Sequence, residues 1–161
     1  MLHLIPAPLH RTLYRLADRV RRVWWKVRRP DRNTAIVLAF DEQGRVLLVR
    51  HSYGPPVWTV PGGGIGRGED PAAAAVREFG EELRCPLANV RRLGTMTQHE
   101  SGSTDHLHAF VAEVAGVPAP DMREIVAAEF FDPAHLPRPA DRRVARRVAE
   151  AVALRSREAG S

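Results

Sequence analysis

Apolar residues recur every three or four positions between residues 9 and 28, which is the spacing of one face of an α-helix. The stripe consists of Leu9, Leu13, Leu16, Val20, Val23 and Val27. Trp24 widens it, and arginines occupy the other faces. The pattern predicts an amphipathic helix that ends at Pro30.

Two strand-like apolar runs follow, at residues 34–40 and 45–51, and the turn sequence DEQG between them favours a hairpin. The glycine- and proline-rich segments YGPP and PGGG then bracket a short run around Trp58. A helix is predicted from Pro71, and a weaker apolar stripe predicts a final helix over residues 140–156. Between the two helices the predicted strands are 90–98, 105–114 and 124–131. Strands on both sides of a central helix indicate a layered α/β or α+β fold with a mixed sheet.

The composition is that of an ordinary globular protein of 161 residues, which predicts one domain, 31–161, preceded by the helix of residues 1–30. The formal net charge is +5, but nine Arg or Lys and two Asp lie between His10 and Asn33 and give that segment +7. The rest of the chain therefore carries −2. The basic character belongs to one segment and does not describe the whole domain.

Cysteine use and hydropathy bear on the cellular compartment. Cys85 is the one cysteine, so neither an internal disulfide nor a cysteine-based metal site can form, and we expect a reducing cytoplasm. No run approaches the roughly 18 apolar residues of a transmembrane helix. The first 15 residues also lack the charge and apolar pattern of a signal peptide.

The central helix concentrates acidic residues. Asp70 is a good N-cap and Pro71 suits the first helical position. A narrow stripe is predicted to be the buried face: Ala72, Val76, Phe79 and Leu83. Glu78, Glu81 and Glu82 cluster on a different, mostly opposite face, where like charges cost roughly 0.2–0.5 kcal/mol per pair. A solvated acidic face is one interpretation. A divalent cation is the other, because hard cations bind several carboxylate oxygens and remove their repulsion.

A glycine-rich loop, PGGGIGRGED, enters the same helix and favours the second interpretation, since such loops and helix N-termini suit phosphate. Seven residues stand in the register of one motif: Gly63, Glu69, Arg77, Glu78, Phe79, Glu81 and Glu82. The six fixed residue types among them would coincide by chance with a frequency of about 10⁻⁵. This constellation, at residues 63–85, resembles the box of the Nudix hydrolases. The resemblance extends over residues 34 to 137 and implies an α/β/α sandwich around a mixed sheet, with the N-terminal amphipathic helix as an addition.

The resemblance implies hydrolysis of a nucleoside diphosphate linked to another group, with Mg²⁺ or Mn²⁺ and attack of water on phosphorus. By the same resemblance, Glu78 and Glu82 are metal ligands, and Glu81 is a further ligand or the general base. The carbonyl of Gly62 is expected to complete the metal shell. Glu124 is either another metal ligand or an exposed strand-end charge. Arg77 is expected to orient the carboxylates, and at i+4 it can reach Glu81.

The expected substrate contacts come from the loop and from an aromatic residue before it. Gly63, Gly64 and Glu69 are the loop candidates, and Trp58 could stack on a base or pack in the core. Tyr53 has the same two interpretations. His106 and His108 should point to one face of a strand, as polar positions or phosphate contacts rather than as a metal site.

Two residues of this helix are energetically unfavourable at their positions. Arg84 stands where the family usually has a glycine in left-handed conformation, which costs another residue on the order of 1 kcal/mol. Gly80 lies mid-helix at a cost of roughly 1 kcal/mol, for which close approach of another segment is the available explanation.

The sequence allows several interpretations of the N-terminal helix and of the function. The basic N-terminal helix could dock on the domain or on a second copy of it, lie on an anionic membrane, or contact a 5′-triphosphorylated RNA. The expected function is pyrophosphate hydrolysis of a nucleotide derivative, and the alternatives are an RNA 5′-pyrophosphohydrolase and a non-catalytic Nudix-like nucleotide-binding or regulatory module. Such modules usually lose box carboxylates, whereas this chain keeps all four, including Glu69.

Overall fold

The structure, a computed structural model, describes Ala17 and residues 31–100 and 103–160. The predicted helix of residues 9–28 lies outside the described residues, apart from Ala17. In chain order the elements are β1 (Asp31–Phe40), β2 (Val46–His51), β3 (Gly62–Gly64), α1 (Pro71–Leu83), β4 (Leu87–Glu100), β5 (Ser103–Val114), β6 (Ile125–Phe131) and α2 (Val144–Ala159). In these described ranges, no helix is long and apolar enough to cross a membrane.

The strands form one mixed sheet in the order β4-β5-β1-β2-β6, and β3 pairs with β1. The contact between β1 and β5 is parallel and the other pairings are antiparallel. One edge of β1 is shared, because its start pairs with β3 and its end with β2. The predicted hairpin is confirmed, with the amide of Asp41 donating to the carbonyl of Arg45 at 3.0 Å.

The two faces of the sheet bury separate cores, as the alternation of side chains along a strand requires. Ala35, Val37 and Ala39 of β1 belong to the core under α1. Ile36, Leu38 and Phe40 belong to the core under α2. The helices therefore cover opposite faces, and the predicted α/β/α sandwich is confirmed.

Local rules define both ends of α1. The side chain of Asp70 accepts from the amides of Ala72 and Ala73 at 3.0 Å, which is the predicted N-cap. At the other end Arg84 adopts φ 50° and ψ 34°, and its amide donates to the carbonyl of Gly80 at 2.9 Å. Arg84 therefore forms the left-handed cap despite the cost to a non-glycine residue, so the local turn that its presence had put in doubt is formed.

The buried face of α1 differs from the predicted stripe. Val76 is 42 % exposed, whereas Ala74, Ala75, Phe79, Glu82 and Leu83 are buried. The helix is therefore rotated so that a carboxylate, Glu82, faces the protein together with Phe79 and Leu83. The apolar periodicity missed this rotation because it treats a glutamate as a solvent-facing residue. The explanation offered for Gly80 is also wrong, since a Cβ there would meet nothing within 4 Å.

Candidate active site

The three glutamates of α1 occupy different environments. Glu82 is 4 % exposed and Glu78 is half-buried, whereas the side chain of Glu81 is 63 % exposed. Side-chain directions rotate by about 100° per residue around a helix, so these three glutamates point in different directions. The helix thus presents one carboxylate to the protein interior, one to its border and one to solvent.

Arg77 connects these carboxylates to the glycine-rich loop. Its Nε and Nη2 donate to the two carboxylate oxygens of Glu69 at 2.8 and 3.0 Å, a bidentate arrangement. Nη1 donates to Glu78 at 2.9 Å and lies 3.5 Å from Glu81. Nη2 also donates to the carbonyl of Gly64 at 3.1 Å. The predicted orienting contacts are present.

The partner of Arg77 is itself fixed by the loop. Glu69 accepts from the amide of Gly66 at 2.7 Å in addition to the two bonds from Arg77. The hydrogen bonds from Arg77 are the main reason that the pKa of Glu69 falls to about 2. The same bonds raise the pKa of Arg77. The ion pair therefore stays charged and ties the loop to the middle of α1.

Gly63 provides room for the carboxylate of Glu78. A Cβ built on Gly63 would lie 2.3 Å from Oε2 of Glu78, so this position of the strand accepts no side chain while Glu78 stays in place. Gly62, with φ +147°, has a different reason, because a Cβ there would lie 2.2 Å from the carbonyl oxygen of Ala35 in β1. Both glycines bring the loop backbone close to the acidic helix.

Glu82 is a buried carboxylate in an acidic environment. Its Oε2 accepts from the amide of Gly62 at 3.2 Å. Burial is the main reason that its pKa is raised well above the ordinary value, and the charges of Glu124 and Glu78 raise it further. Burial also raises the pKa of Glu78. Both carboxyl groups therefore resist ionisation, and a positive charge placed next to them would lower their pKa values and favour the ionised form.

The segment before β6 brings Glu124 to this place. The amide of Asp121 donates to the carbonyl of Glu82 at 3.0 Å, which fixes the segment to the end of α1. The carboxylate of Asp121 accepts from the amides of Glu124 and Ile125 at 3.0 and 2.9 Å. The hydroxyl of Tyr53 donates to the carboxylate of Glu124. Of the two interpretations of Glu124, the structure favours a member of the carboxylate cluster.

His51 was not anticipated from the sequence. It ends β2, and its ligand atom lies with those of Glu82 and Glu124 in a group whose members are all within 4.8 Å of one another. Its ring centroid is 5.1 Å from that of Tyr53. No local motif connects these positions, which come from three separate elements. A lone histidine at a strand end carries no signal that could have revealed them.

The donor set fits a divalent cation. Glu78, Glu82 and Glu124 converge next to Gly62 and Gly63, and the nearby cation Arg77 contacts Glu78 but no atom of Glu82 by any described bond. Carboxylates with carbonyls are the ligands that Mg²⁺ and Mn²⁺ take in proteins. One or more cations would neutralise a cluster whose buried members are otherwise costly to ionise.

Of the predicted substrate contacts, the loop residues lie at the site and Trp58 does not. Gly63, Gly64 and Glu69 lie together at the loop, in contact with Glu78 or Arg77. Trp58 is 9 % exposed and packs in the core under α2, edge-on to Phe131 with ring centroids 4.9 Å apart. Stacking of Trp58 on a base therefore has no support in this structure, because its ring surface is already used in packing.

The histidines of β5 share one face, as expected. His106 Nδ1 lies 3.3 Å from the hydroxyl of Thr97, and His108 Nδ1 lies 3.4 Å from that of Thr95. Both threonines are exposed on β4. In register, His108 lies opposite Ala35 of β1, which in turn lies opposite Gly63. This polar strip therefore shares the α1 side of the sheet with the glycine-rich loop.

Comparison with known proteins agrees with this fold. The family model described as the NUDIX domain matches residues 30–152, and the chain belongs to this family. The family, together with relatives named as a diphosphatase and a pyrophosphohydrolase, identifies it as a hydrolase. A crystal structure of a MutT NUDIX hydrolase from Burkholderia pseudomallei superimposes with a TM-score of 0.68 at 23 % identity, over 75 % of this chain and 98 % of that one.

Two curated relatives are similar over shorter ranges. A Bacillus subtilis (strain 168) protein with the provisional name 8-oxo-dGTP diphosphatase is 31 % identical over 104 residues, which are 64 % of this chain and 68 % of the relative. An RNA pyrophosphohydrolase of Rhodospirillum rubrum is 39 % identical over 54 residues, which are 34 % of this chain. The chain spans only 33 % of the length of that second relative.

Proposed function

We propose that this protein hydrolyses a pyrophosphate bond in a nucleoside diphosphate derivative and uses Mg²⁺ or Mn²⁺ to do so. The observation that carries the proposal is the buried carboxylate of Glu82, which faces Glu124 and lies beside a glycine-rich loop shaped around Glu78. A buried carboxylate whose pKa is raised, with further carboxylates beside it, is a poor structural element and a good cation site.

The roles follow from position. Glu78, Glu82 and Glu124 would hold the cation, with the carbonyl of Gly62 as a further donor from the loop. A bound divalent cation neutralises phosphate oxygens and lowers the pKa of a water molecule. Glu81, whose side chain is 63 % exposed, is free to approach such a water and is our candidate for the general base.

Arg77 is a positioning residue in this proposal. It bonds Glu69, Glu78 and the carbonyl of Gly64, and so holds the loop and the helix in one arrangement. Gly63 and Gly64 leave the loop backbone open to a phosphate group, which the N-terminus of α1 also favours. Glu69 supports the substrate site through Arg77.

For the substrate, we favour a free nucleoside triphosphate or nucleotide derivative. The name of the Bacillus subtilis relative supports a nucleoside triphosphate, whereas that of the Rhodospirillum rubrum relative supports the 5′ end of RNA. The near-neutral body of the domain favours the small molecule. A non-catalytic module is disfavoured because all four box carboxylates are present, and Glu69, Glu78 and Glu81 all lie within ion-pair distance of Arg77.

We also propose a cytoplasmic location for the protein and a contact role for its basic N-terminal segment. The lone, buried thiol of Cys85 is consistent with the cytoplasm. The basic segment before Asp31 could contact a second copy of the chain, an anionic membrane or RNA. The substrate itself is proposed to be a small nucleotide.

The test is release of phosphate or pyrophosphate from a panel of substrates. The panel contains nucleoside triphosphates, oxidised nucleotides, nucleotide sugars, dinucleoside polyphosphates and 5′-triphosphate RNA, each with Mg²⁺, with Mn²⁺ and with chelator. Metal-dependent turnover of one class, absent in Glu82→Gln, supports the proposal and identifies the substrate. Turnover that survives in chelator or in Glu82→Gln would contradict it.

A further inference from the structure

We propose that His51 is a nitrogen ligand of the metal site and gives it a preference for transition-metal ions over Mg²⁺. This inference rests on the proposed function, because it concerns the cation held by Glu82 and Glu124. It adds a ligand from outside α1 and the glycine-rich loop, and it predicts which cation the site prefers.

The distances support a single ion shared by the three groups. The ligand atoms of His51, Glu82 and Glu124 all lie within 4.8 Å of one another. Two atoms that each bind one ion at about 2.1 Å lie at most about 4.2 Å apart. That limit holds for ligands on opposite sides of the ion, whereas adjacent ligands lie about 3 Å apart, so the pairs must close by up to about 2 Å, which side-chain rotation within the group can supply.

The end of β2 directs His51 toward this group. Side chains alternate along a strand, and Val49 of β2 belongs to the core under α1, so His51, two residues later, points to the same side. Arg50 lies on the other side, with its guanidinium 5.7 Å from the ring centroid of Trp58 in the core under α2. His51 is half-buried on the side of Glu82, next to the ring of Tyr53.

The two carboxylates of the group are held independently of any ion. Tyr53 donates to Glu124, and the amide of Ser52 donates to the carbonyl of Glu124 at 2.8 Å. Glu82 is held by the amide of Gly62 through its side chain and by Asp121 through its backbone. His51 and Tyr53 belong to the same short segment as Ser52, so the imidazole and Glu124 are positioned together.

Ligand chemistry gives the expected preference. Mg²⁺ is a hard cation that takes oxygen ligands, whereas imidazole suits transition metals. Mn²⁺ shares the carboxylate ligands of Mg²⁺ but, as a transition-metal ion, also accepts an imidazole nitrogen, so the imidazole is the donor that distinguishes between the two ions. Replacing His51 should therefore weaken the binding of Mn²⁺ and leave that of Mg²⁺ nearly unchanged.

The test uses the full chain with any histidine tag removed. Pulsed electron paramagnetic resonance of bound Mn²⁺ reports nitrogen-14 coupling when an imidazole nitrogen is a ligand. Calorimetry gives the dissociation constants of Mn²⁺ and Mg²⁺. The variants are His51→Gln and, as a matched control on the β5 surface, His106→Gln. His51→Asn is the second variant, and thermal unfolding checks that each protein is folded.

We expect nitrogen coupling in the wild type and in His106→Gln and its loss in His51→Gln. In His51→Gln the Mn²⁺ dissociation constant should rise about tenfold or more, while that of Mg²⁺ changes by less than about twofold. Coupling that persists in a folded His51 variant, or equal weakening of both ions, would overturn the inference. Glu82→Gln separates the two proposals, because it should lose both ions, and undiminished binding there would overturn the proposed function itself.

Discussion

The carboxylate of Glu78 fills the space that a side chain on Gly63 would need. A Cβ on Gly63 would approach the two carboxylate oxygens to 2.3 and 2.8 Å. The two residues come from β3 and from the middle of α1, and this contact sets how closely the loop approaches the acidic helix. A glycine in the loop is therefore a requirement of the carboxylate position and not only of the turn.

Substitution Gly63→Ala should lower kcat with little effect on stability. The added methyl group must displace the flexible Glu78 side chain, and a displacement of about 1 Å can cost about 100-fold in rate. Gly94→Ala, in β4 and outside the loop, is the matched control, since a Cβ there meets nothing within 4 Å. Steady-state kinetics and thermal unfolding of both variants provide the measurement. Equal activity of the two variants would show that the position of Glu78 is unimportant.

Substitution Arg77→Lys should reduce kcat by about 10- to 100-fold, the range observed when residues that orient metal ligands are changed. A lysine keeps the charge but cannot form the bidentate bond to Glu69 while also reaching Glu78 and Gly64. Arg45→Lys, in the exposed β1–β2 turn and also paired with an aspartate, is the control. A rate equal to that of this control would contradict the positioning role.

The ion pair between Glu69 and Arg77 predicts a pH dependence of stability. The pKa of Glu69 is lowered from 4.5 to about 2, so its contribution is complete above pH 4.5 and is lost as pH falls toward 2. Urea midpoints of the wild type and Glu69→Gln should differ by a constant amount near neutral pH and converge between pH 4.5 and 2. A gap that stays constant down to pH 2 would be inconsistent with this ion pair.

Gly80→Ala should stabilise the protein by about 1 kcal/mol, because alanine is the better helix former. The structure offers no obstacle, since nothing lies within 4 Å of a Cβ at this position. Denaturant unfolding gives the free energy. Gly62→Ala is the opposite case, where the Cβ meets backbone at 2.2 Å and unfolding should become easier. Destabilisation by Gly80→Ala would reveal a contact that this account lacks.

Much of the site could be predicted because its residues lie in one continuous motif. Gly63 and Glu82 are close in the sequence, so a tight loop followed by a helix can bring the residues between them together in only a few ways. The N-cap of α1 at Asp70 follows from local rules in the same manner, whereas the left-handed conformation at Arg84 was not predicted, because propensity assigns it to glycine.

The remaining parts depend on contacts between distant segments. His51 and Tyr53 meet Glu124 through the pairing of β2 with β6, more than 70 residues apart in the case of Tyr53 and Glu124. Hydropathy also gave the wrong exposure for Val76, because the buried face of α1 includes the carboxylate of Glu82. A site that buries charge violates the rule from which burial is predicted.

In the proposed mechanism, Glu78 and Glu82 hold a cation that hydrolysis requires. The most direct measurement is kcat at saturating Mg²⁺ or Mn²⁺ for Glu78→Gln and Glu82→Gln, beside Glu113→Gln, a glutamate that bonds Asn89 at the surface. We predict a fall of at least about 100-fold for the first two variants and wild-type activity for the third. Wild-type turnover in Glu82→Gln, with its fold intact, would contradict the account.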